Sequence, residues 1–234
     1  LNMSYLWQEF NIKTFNAETL VFRDGVFCED LSDYESMNFE PESNSINIIK
    51  TPKLPIHIIY IGEIAGNIDI NVNISAKDAK IIATLKIINK KPAFLKFFIK
   101  NTGKNSLFDG RIIAQNHNSL KIDVFGEHLC ENTGVFVKTH VLAHKNSETV
   151  LNGYATIEKN FKDCDSDISF SVMADENAKI SMKPVQYIKS EPLSAKHSAA
   201  IYKPNTAQIN YLRESGLSGV EVKQVLEEAF LSIE

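Results

Sequence analysis

The most constraining feature of the sequence is a strict alternation of apolar and polar residues in the segment "NIDINVNIS". Isoleucine or valine occupies positions 68, 70, 72 and 74, and aspartate or asparagine occupies the positions between them. Because successive side chains of a β-strand point to opposite faces, this period of two places all four apolar side chains on one face. The segment therefore predicts a half-buried strand whose apolar face packs against a core.

Short apolar runs of similar character recur along the middle of the chain. They are "INIIK" from Ile46, "IHIIYI" from Ile56, "KIIATLKII" from Lys80, "AFLKFFIK" from Ala93, "SLKIDVF" from Ser119, "GVFVKTHVL" from Gly134, "DISFSVM" from Asp167 and "AKISM" from Ala178. Asn, Asp, Ser, Lys and Gly separate them at intervals of roughly 10 to 15 residues, as expected for turns between strands. Residues 46–190 are therefore predicted to be mostly β-structure.

Two architectures fit this series of strands: a sandwich of antiparallel hairpins, or a solenoid in which each strand stacks on its equivalent in the previous turn. A hairpin is best indicated by a two-residue Asn-Gly or Asp-Gly turn between two good strands. The pairs of that type at 24–25, 109–110 and 152–153 do not each have this setting. The small polar segments "SAKDAK", "NTGKNS" and "DENAKI" are typical of solenoid corners. The pattern favours the solenoid.

The two ends of the chain differ from this β-rich middle. The N-terminal segment lacks strand alternation at its start, which predicts a helical or irregular lead-in. Near the C-terminus the pattern becomes helical, with Gly216 as the residue that ends a first helix. Ser218 and Glu221 form a capping box for a second helix with an apolar stripe. The predicted division is a lead-in over 1–45, a β-helix core over 46–204 and a helical segment over 205–234.

Composition and motifs argue against several classes of function. The formal net charge of -4 is unlike that of a nucleic-acid binder, which needs clustered Lys and Arg. The sequence has no phosphate loop, dinucleotide fingerprint, nucleophile elbow or H-E-x-x-H motif. Three scattered cysteines without a C-x-x-C pair are typical of a reducing cytoplasm. Without a signal-peptide pattern or an apolar run of membrane length, we expect a cytoplasmic protein that neither crosses nor binds a membrane.

Two pairs of residues have a spacing that can seed a metal site. His128 and Cys130 are two apart and His140 and His144 are four apart, so each pair would share one face of a strand. Exposed polar faces of solenoid strands explain both pairs equally well. The acidic segment "DCDSD" at 163–167 lacks the glycine and the bidentate glutamate of a calcium-binding EF-hand loop, so we interpret it as a surface turn.

Five short motifs follow one another in the C-terminal part of the chain. They are "LNGYATI" from Leu151, "KPVQYI" from Lys183, "KHSAAI" from Lys196, "NYLRESGL" from Asn210 and "EEAF" from Glu227. In this order they resemble the late strands, the small-residue segment, the turn and the terminal helix of the SufB/SufD family of iron–sulfur cluster assembly proteins. The resemblance covers roughly residues 46–234 and is most specific from about residue 150 onward.

The resemblance implies a right-handed parallel β-helix that serves as a scaffold and has no catalytic activity of its own. Family members pair through their β-helices and dock an ATPase through their C-terminal helices. It therefore implies a SufB-like subunit and a SufC-like ATPase as partners, and a homodimer when the chain is isolated. The residues that would dock the ATPase are Tyr211, Leu212, Val222, Val225, Leu226 and Phe230.

His197 lies in the small-residue segment, where extended sequence gives way to the C-terminal helices. Members of the SufD type carry a histidine there, whereas members of the SufB type carry a glutamate, so the resemblance favours SufD. It implies that His197 contributes an imidazole ligand for iron or a nascent iron–sulfur cluster at the subunit interface. A reduced member without cluster chemistry fits the same residues. The residues also leave open a β-solenoid interaction module without iron–sulfur chemistry and, more weakly, a carbohydrate-active β-helix.

Overall fold

The structure is a computed structural model that describes residues 17–24, 26–28, 37–40 and 45–232. Within these residues the chain forms fifteen strands followed by two helices. The strands are β1 (Glu18–Arg23), β2 (Val26–Phe27), β3 (Met37–Glu40), β4 (Ser45–Ile48), β5 (Ile56–Glu63), β6 (Gly66–Ile74), β7 (Lys80–Asn89), β8 (Ala93–Asn101), β9 (Leu107–Asn116), β10 (Ser119–His128), β11 (Gly134–Ala143), β12 (Glu148–Ile157), β13 (Asp165–Ala174), β14 (Lys179–Ile188) and β15 (Ser194–Tyr202). The helices are α1 (Thr206–Glu214) and α2 (Gly219–Leu231).

The strands form two sheets, and from β4 onward consecutive strands alternate between them. An eight-stranded sheet has the order β15-β13-β11-β9-β7-β5-β1-β2, and a seven-stranded sheet has the order β14-β12-β10-β8-β6-β4-β3. Pairing is antiparallel between β1 and β2 and between β3 and β4, and parallel between the other neighbouring strands. Each successive pair of strands is therefore one turn of a parallel β-solenoid of about six turns, which confirms the predicted solenoid.

The core is built by repeating the same inward position in every turn. Ile58, Ala83, Gly110, Val137 and Ile168 are aligned in five successive strands of the eight-stranded sheet, and all five are buried. Burial of apolar surface contributes about 25 cal/mol per Å², so each turn is stabilised mainly by the turns on either side of it. A turn without a neighbour on one side therefore leaves apolar surface uncovered.

Asparagine and aspartate side chains hold the corners between the sheets. Asp78, Asn105 and Asn132 have φ angles of 57°, 59° and 55°, in the left-handed region that Asn and Asp tolerate best among residues other than glycine. Asn105 Nδ2 donates to Asp78 Oδ1 over 2.8 Å, and Asn132 Nδ2 donates to Asn105 Oδ1 over 2.7 Å. The predicted corners "SAKDAK" and "NTGKNS" contribute Asp78 and Asn105 to this ladder, and "DENAKI" is a corner between β13 and β14.

The two C-terminal helices have the predicted Gly216 and the predicted capping box at Ser218, together with a second capping box that the sequence had not indicated. Asn205 and Gln208 form a capping box for α1, and Gly216 follows its end with a φ of 93°. The Ser218 hydroxyl accepts from the backbone N–H of Glu221, whose carboxylate accepts from the Ser218 N–H at the start of α2. α2 lies against the eight-stranded sheet at β11. Neither helix of the described part of the chain is long and apolar enough to cross a bilayer.

Two segments differ from the sequence expectations. The described parts of residues 1–45 are strands rather than helix, and β1 extends the eight-stranded sheet by pairing in parallel with β5. Residues 1–16 of the expected lead-in lie outside the described residues. β15 lies beyond residues 46–190, where the individual strands were predicted, but within the predicted β-helix core of 46–204. Parallel pairing with β13 supplies its backbone hydrogen bonds, although its side chains lack the apolar alternation of the earlier strands.

Candidate functional site

The C-terminal end of the solenoid is formed by β14 and β15, which we call the end turn. Among the described strands, β14 pairs only with β12 and β15 pairs only with β13. Gln186 Nε2 donates to the Lys196 carbonyl over 2.8 Å and joins the two strands. Because each strand has a sheet on one side only, its other edge presents N–H and C=O groups to a further strand. The end turn is therefore suited to association by strand addition.

Apolar side chains are exposed in the end turn, including one at a position that is core in the preceding turn. Val172 of β13 is fully buried, whereas the aligned Ile201 of β15 is 52% exposed. Tyr187 at the end of β14 is 54% exposed, and Leu193 just before β15 is 69% exposed. Exposed apolar side chains of this kind are typical of surfaces that other proteins cover. The end turn therefore has the properties of an interface.

His197 occupies the inward position of β15. It is aligned with Ile168 of β13, at the end of the buried column that contains Ile58. Ile168 is 2% exposed, whereas His197 is exposed because no further turn of the described chain covers it. Ala195 and Ala199 lie two residues away on the same face, and their short side chains leave the imidazole accessible. The strand thus presents one metal-binding side chain at the open end of the core.

The predicted docking residues lie on two different faces of the C-terminal helices. Val222 is 4% exposed, and the Phe230 ring stacks on His140 and Tyr202 with ring centroids 5.0 and 5.5 Å apart. His140 Nδ1 also donates to the Phe230 carbonyl over 2.7 Å, which fixes the end of α2 on β11. Leu212 and Leu226 are half-buried, whereas Tyr211 and Val225 are 70% and 38% exposed. One part of the stripe thus packs on the chain's own sheet.

A second group of polar side chains lies where α2 crosses the corners of the eight-stranded sheet. His117, His144 and Asp175 directly follow β9, β11 and β13, so they occupy equivalent positions in three turns. The rings of His117 and His144 stack with centroids 4.0 Å apart, and His144 Nδ1 lies 3.5 Å from Asp175 Oδ2. Lys223 Nζ of α2 lies 2.9 Å from Asp175 Oδ2 and 3.5 Å from Glu227 Oε1. We call these five residues the corner cluster.

Burial shifts the pKa values of His144 and Glu227 in the corner cluster toward their uncharged forms. Desolvation and then the repulsion of His117 lower the pKa of His144, so its imidazole is neutral at pH 7. Desolvation raises the pKa of Glu227, although attraction to Lys223 opposes that change. The hydrogen bond to Asp175 is the main reason that the pKa of Lys223 is raised. The cluster thus combines a neutral imidazole, two carboxyl groups and an ammonium group.

The two pairs of residues whose spacing could seed a metal site do not come together as metal ligands in the structure. β10 ends at His128, and Cys130 lies in the corner that follows. β11 ends at Ala143, so His140 lies on the strand and His144 lies beyond it. His144 instead lies near Asp175 and Glu227, which the sequence did not indicate as metal ligands. Asp175 could have been found by aligning the residues that directly follow successive strands, whereas Glu227 has no local signal.

A comparison with protein families decides the family. The model described as "SUF system FeS cluster assembly, SufBD core domain" matches residues 69–230, which is more than half of the chain. The chain belongs to the SufBD family. A comparison with curated proteins finds no match. The matched region runs from β6 to α2 and so contains the end turn, His197 and the corner cluster. Membership assigns this SufBD protein to SUF iron–sulfur cluster assembly, in which members of the family are scaffold and assembly components.

Proposed function

We propose that this SufBD protein is a SufD-type scaffold subunit that pairs with a SufB-like subunit through its end turn. The observation that carries the proposal is the open end turn, where His197 continues a buried core column into an exposed position. The chain then works without catalysis of its own, in the cytoplasm, where its three free cysteines would stay reduced.

Pairing follows from the surface of the end turn. Ile201, Tyr187 and Leu193 are apolar side chains that a second solenoid would remove from water. The open backbone edges of β14 and β15 add directional hydrogen bonds to that apolar contact. A partner with its own open solenoid end meets both requirements, and a second copy of this chain is the natural substitute when the partner is absent.

The iron or nascent cluster is the cargo of this interface rather than a resident cofactor. His197 offers one imidazole nitrogen, and its inward-facing neighbours Ala195 and Ala199 offer no donor atom. A single imidazole cannot hold an iron–sulfur cluster, which needs several ligands. We therefore infer that the remaining ligands come from the partner, which makes cargo binding dependent on pairing.

The C-terminal helices provide the surface for an ATPase in this proposal. Tyr211 and Val225 are the exposed apolar residues of the predicted set and would contact the ATPase directly. Val222 and Phe230 hold α2 against the solenoid and would act by positioning those residues. Movement of the docked ATPase would then reach the solenoid through α2 and β11.

The proposal is tested by anaerobic co-expression of the chain with the SufB-like and ATPase subunits of the same organism. Stoichiometry is measured by light scattering, and iron and sulfide are measured in the purified complex. Ile201→Asp places a charge in the end turn and is expected to weaken pairing at least about tenfold. Val26→Asp is the matched control, since Val26 is 66% exposed and lies in β2 at the opposite edge of the same sheet.

His197→Ala separates pairing from cargo binding. We expect His197→Ala to form an intact complex that contains less iron and sulfide than the wild-type complex. His57→Ala is the control, and its iron and sulfide contents should be unchanged. A complex that forms with unchanged iron would retire His197 as a ligand, whereas a complex that forms without iron and sulfide would favour the alternative of an interaction module without iron–sulfur chemistry. That alternative is supported by the single donor side chain on the inner face of β15. If Ile201→Asp pairs as tightly as wild type, the end turn is not the interface.

A further inference from the structure

We propose that His144, Asp175 and Glu227 form a binding site for a divalent metal ion, Zn²⁺ or Fe²⁺, that fastens α2 to the solenoid. The site is distinct from His197 and does not depend on the proposed function. Its three residues come from the corner after β11, the corner after β13 and the helix α2. An ion held by all three would connect two turns of the solenoid to the terminal helix.

The geometry is close to that of a metal site. One potential ligand atom from each of the three residues lies within 4.8 Å of the other two. Ligand atoms bound at about 2.1 Å to a common ion are roughly 3.4 Å apart in tetrahedral geometry. The three groups therefore need to approach one another by at most about 1.4 Å, which side-chain rotation can supply. In the described part of the chain this is the one such group of three or more ligand residues.

Two donor atoms of the site have no hydrogen bond in the structure. His144 Nε2 and Glu227 Oε1 are buried atoms without a hydrogen-bond partner among the described residues. A buried polar atom without a hydrogen bond is destabilising, and a bound ion would replace the ammonium of Lys223 as the partner of Glu227 Oε1.

Lys223 is the competitor for this site. Its ammonium group lies 2.9 Å from Asp175 Oδ2 and 3.5 Å from Glu227 Oε1, and so balances the charge that an ion would balance. The Lys223 side chain is 54% exposed, so it can turn into solvent when an ion enters. His117 does not join the ligands in this arrangement, because its ring is stacked on that of His144 and its lone pairs lie in its own ring plane.

The donor set selects the class of ion. One nitrogen and two carboxylate oxygens suit borderline first-row ions, whereas Ca²⁺ and Mg²⁺ prefer oxygen donors alone. Water would complete the coordination shell from the side that Lys223 leaves. Zn²⁺ and Fe²⁺ share this chemistry, and titrating each ion separately under anaerobic conditions distinguishes them.

The test uses the metal-free full chain titrated with Co²⁺ by visible absorption and with Zn²⁺ by calorimetry. Lys223→Met removes the competing ammonium, and we expect one bound ion per chain with affinity at least about tenfold above wild type. Adding His144→Gln or Glu227→Gln to that variant should lower the affinity at least about tenfold. Glu228→Gln, at the next position of α2 and on an exposed side chain, is the matched control and should change nothing.

Three outcomes decide the proposal. A gain of binding in Lys223→Met that is lost with His144→Gln supports it, and a misfolded variant cannot produce such a gain. No binding in Lys223→Met, or binding that is unaffected by both His144→Gln and Glu227→Gln, overturns it. Binding that only His197→Ala removes, or a thiolate charge-transfer band with Co²⁺, assigns the ion elsewhere and also overturns it.

The fastening of α2 has its own measurement. Amide hydrogen exchange in α2 should slow at least about tenfold when Zn²⁺ is added to Lys223→Met, while exchange in β6 to β10 stays unchanged. Equal exchange in α2 with and without Zn²⁺ would show that the ion does not hold the helix. Pairing with a SufB-like subunit enters none of these measurements, so failure here leaves the proposed function standing.

Discussion

The burial of His128 at the end of β10 leads to a prediction about how the free energy of unfolding depends on pH. His128 is fully buried at the end of this strand, and its Nδ1 lies 2.8 Å from Thr133 Oγ1. Burial lowers the pKa of His128 from 6.5 to about 4, although the hydrogen bond to Thr133 opposes the change. Between these two values the unfolded chain binds a proton that the folded chain does not bind.

The effect on stability has a definite sign and a rough size. Above pH 6.5 the imidazole is neutral in both states, and the contribution of His128 to stability is fully present. As the pH falls from 6.5 to about 4, the free energy of unfolding falls by about 1.4 kcal/mol per pH unit from this residue alone. The total loss is roughly 3 kcal/mol, and it levels off below about pH 4.

His128→Asn is the variant that isolates this contribution. Asn101 is aligned with His128 one turn earlier, and its side chain bonds to Ser106 at the same corner position that Thr133 occupies. An asparagine therefore fits this position of the solenoid and removes the titrating group.

The assay is urea unfolding of both proteins by circular dichroism at pH 7.5 and pH 4.5. The other titrating groups are common to both proteins and cancel in the comparison. We expect the wild type to lose roughly 2–3 kcal/mol more than His128→Asn between the two pH values. Equal losses in both proteins would refute the argument that His128 stays neutral in the folded state.

Three further predictions concern packing and docking. Gly110→Ala should destabilise the chain by about 1–3 kcal/mol in urea unfolding, because a Cβ there would lie 2.8 Å from Phe108 Cε1 in the core; an unchanged midpoint would contradict this. Tyr211→Ser should weaken ATPase binding in calorimetry at least about tenfold without altering the circular dichroism spectrum, and unchanged affinity would remove this residue from the docking surface. Phe230→Ala removes the ring that stacks on His140, so hydrogen exchange in α2 should accelerate while exchange in the solenoid does not; uniform acceleration would indicate global unfolding instead.

Local patterns in the sequence determined the individual elements of this protein. The alternation in residues 68–74 determines a strand because one face of the strand contacts the apolar core and the other face contacts water. This requirement does not depend on which neighbours the strand has. The capping box of Ser218 and Glu221 marks the start of α2 because its hydrogen bonds join residues three apart. The motifs around His197 were sufficient to indicate the family, which the family comparison supports. Assignment to the SufD branch stays a prediction.

Tertiary structure decided what depends on neighbouring turns. β9 has Asp109, Gly110 and Arg111 in its middle and was not among the predicted strands, yet it forms because β7 and β11 pair with it on both sides. Parallel pairing with β13 likewise makes β15 a strand, and so places His197 at the open end of the core.

The two sides of α2 were also decided by packing. Val222 and Val225 both belong to the apolar stripe, and the helical spacing alone does not distinguish them. The packing of α2 on the sheet buries Val222 and leaves Val225 exposed. His144, Asp175 and Glu227 meet because successive turns stack and α2 crosses their corners. No local pattern encodes that meeting, because the free energy that brings these residues together comes from burying apolar surface elsewhere in the solenoid.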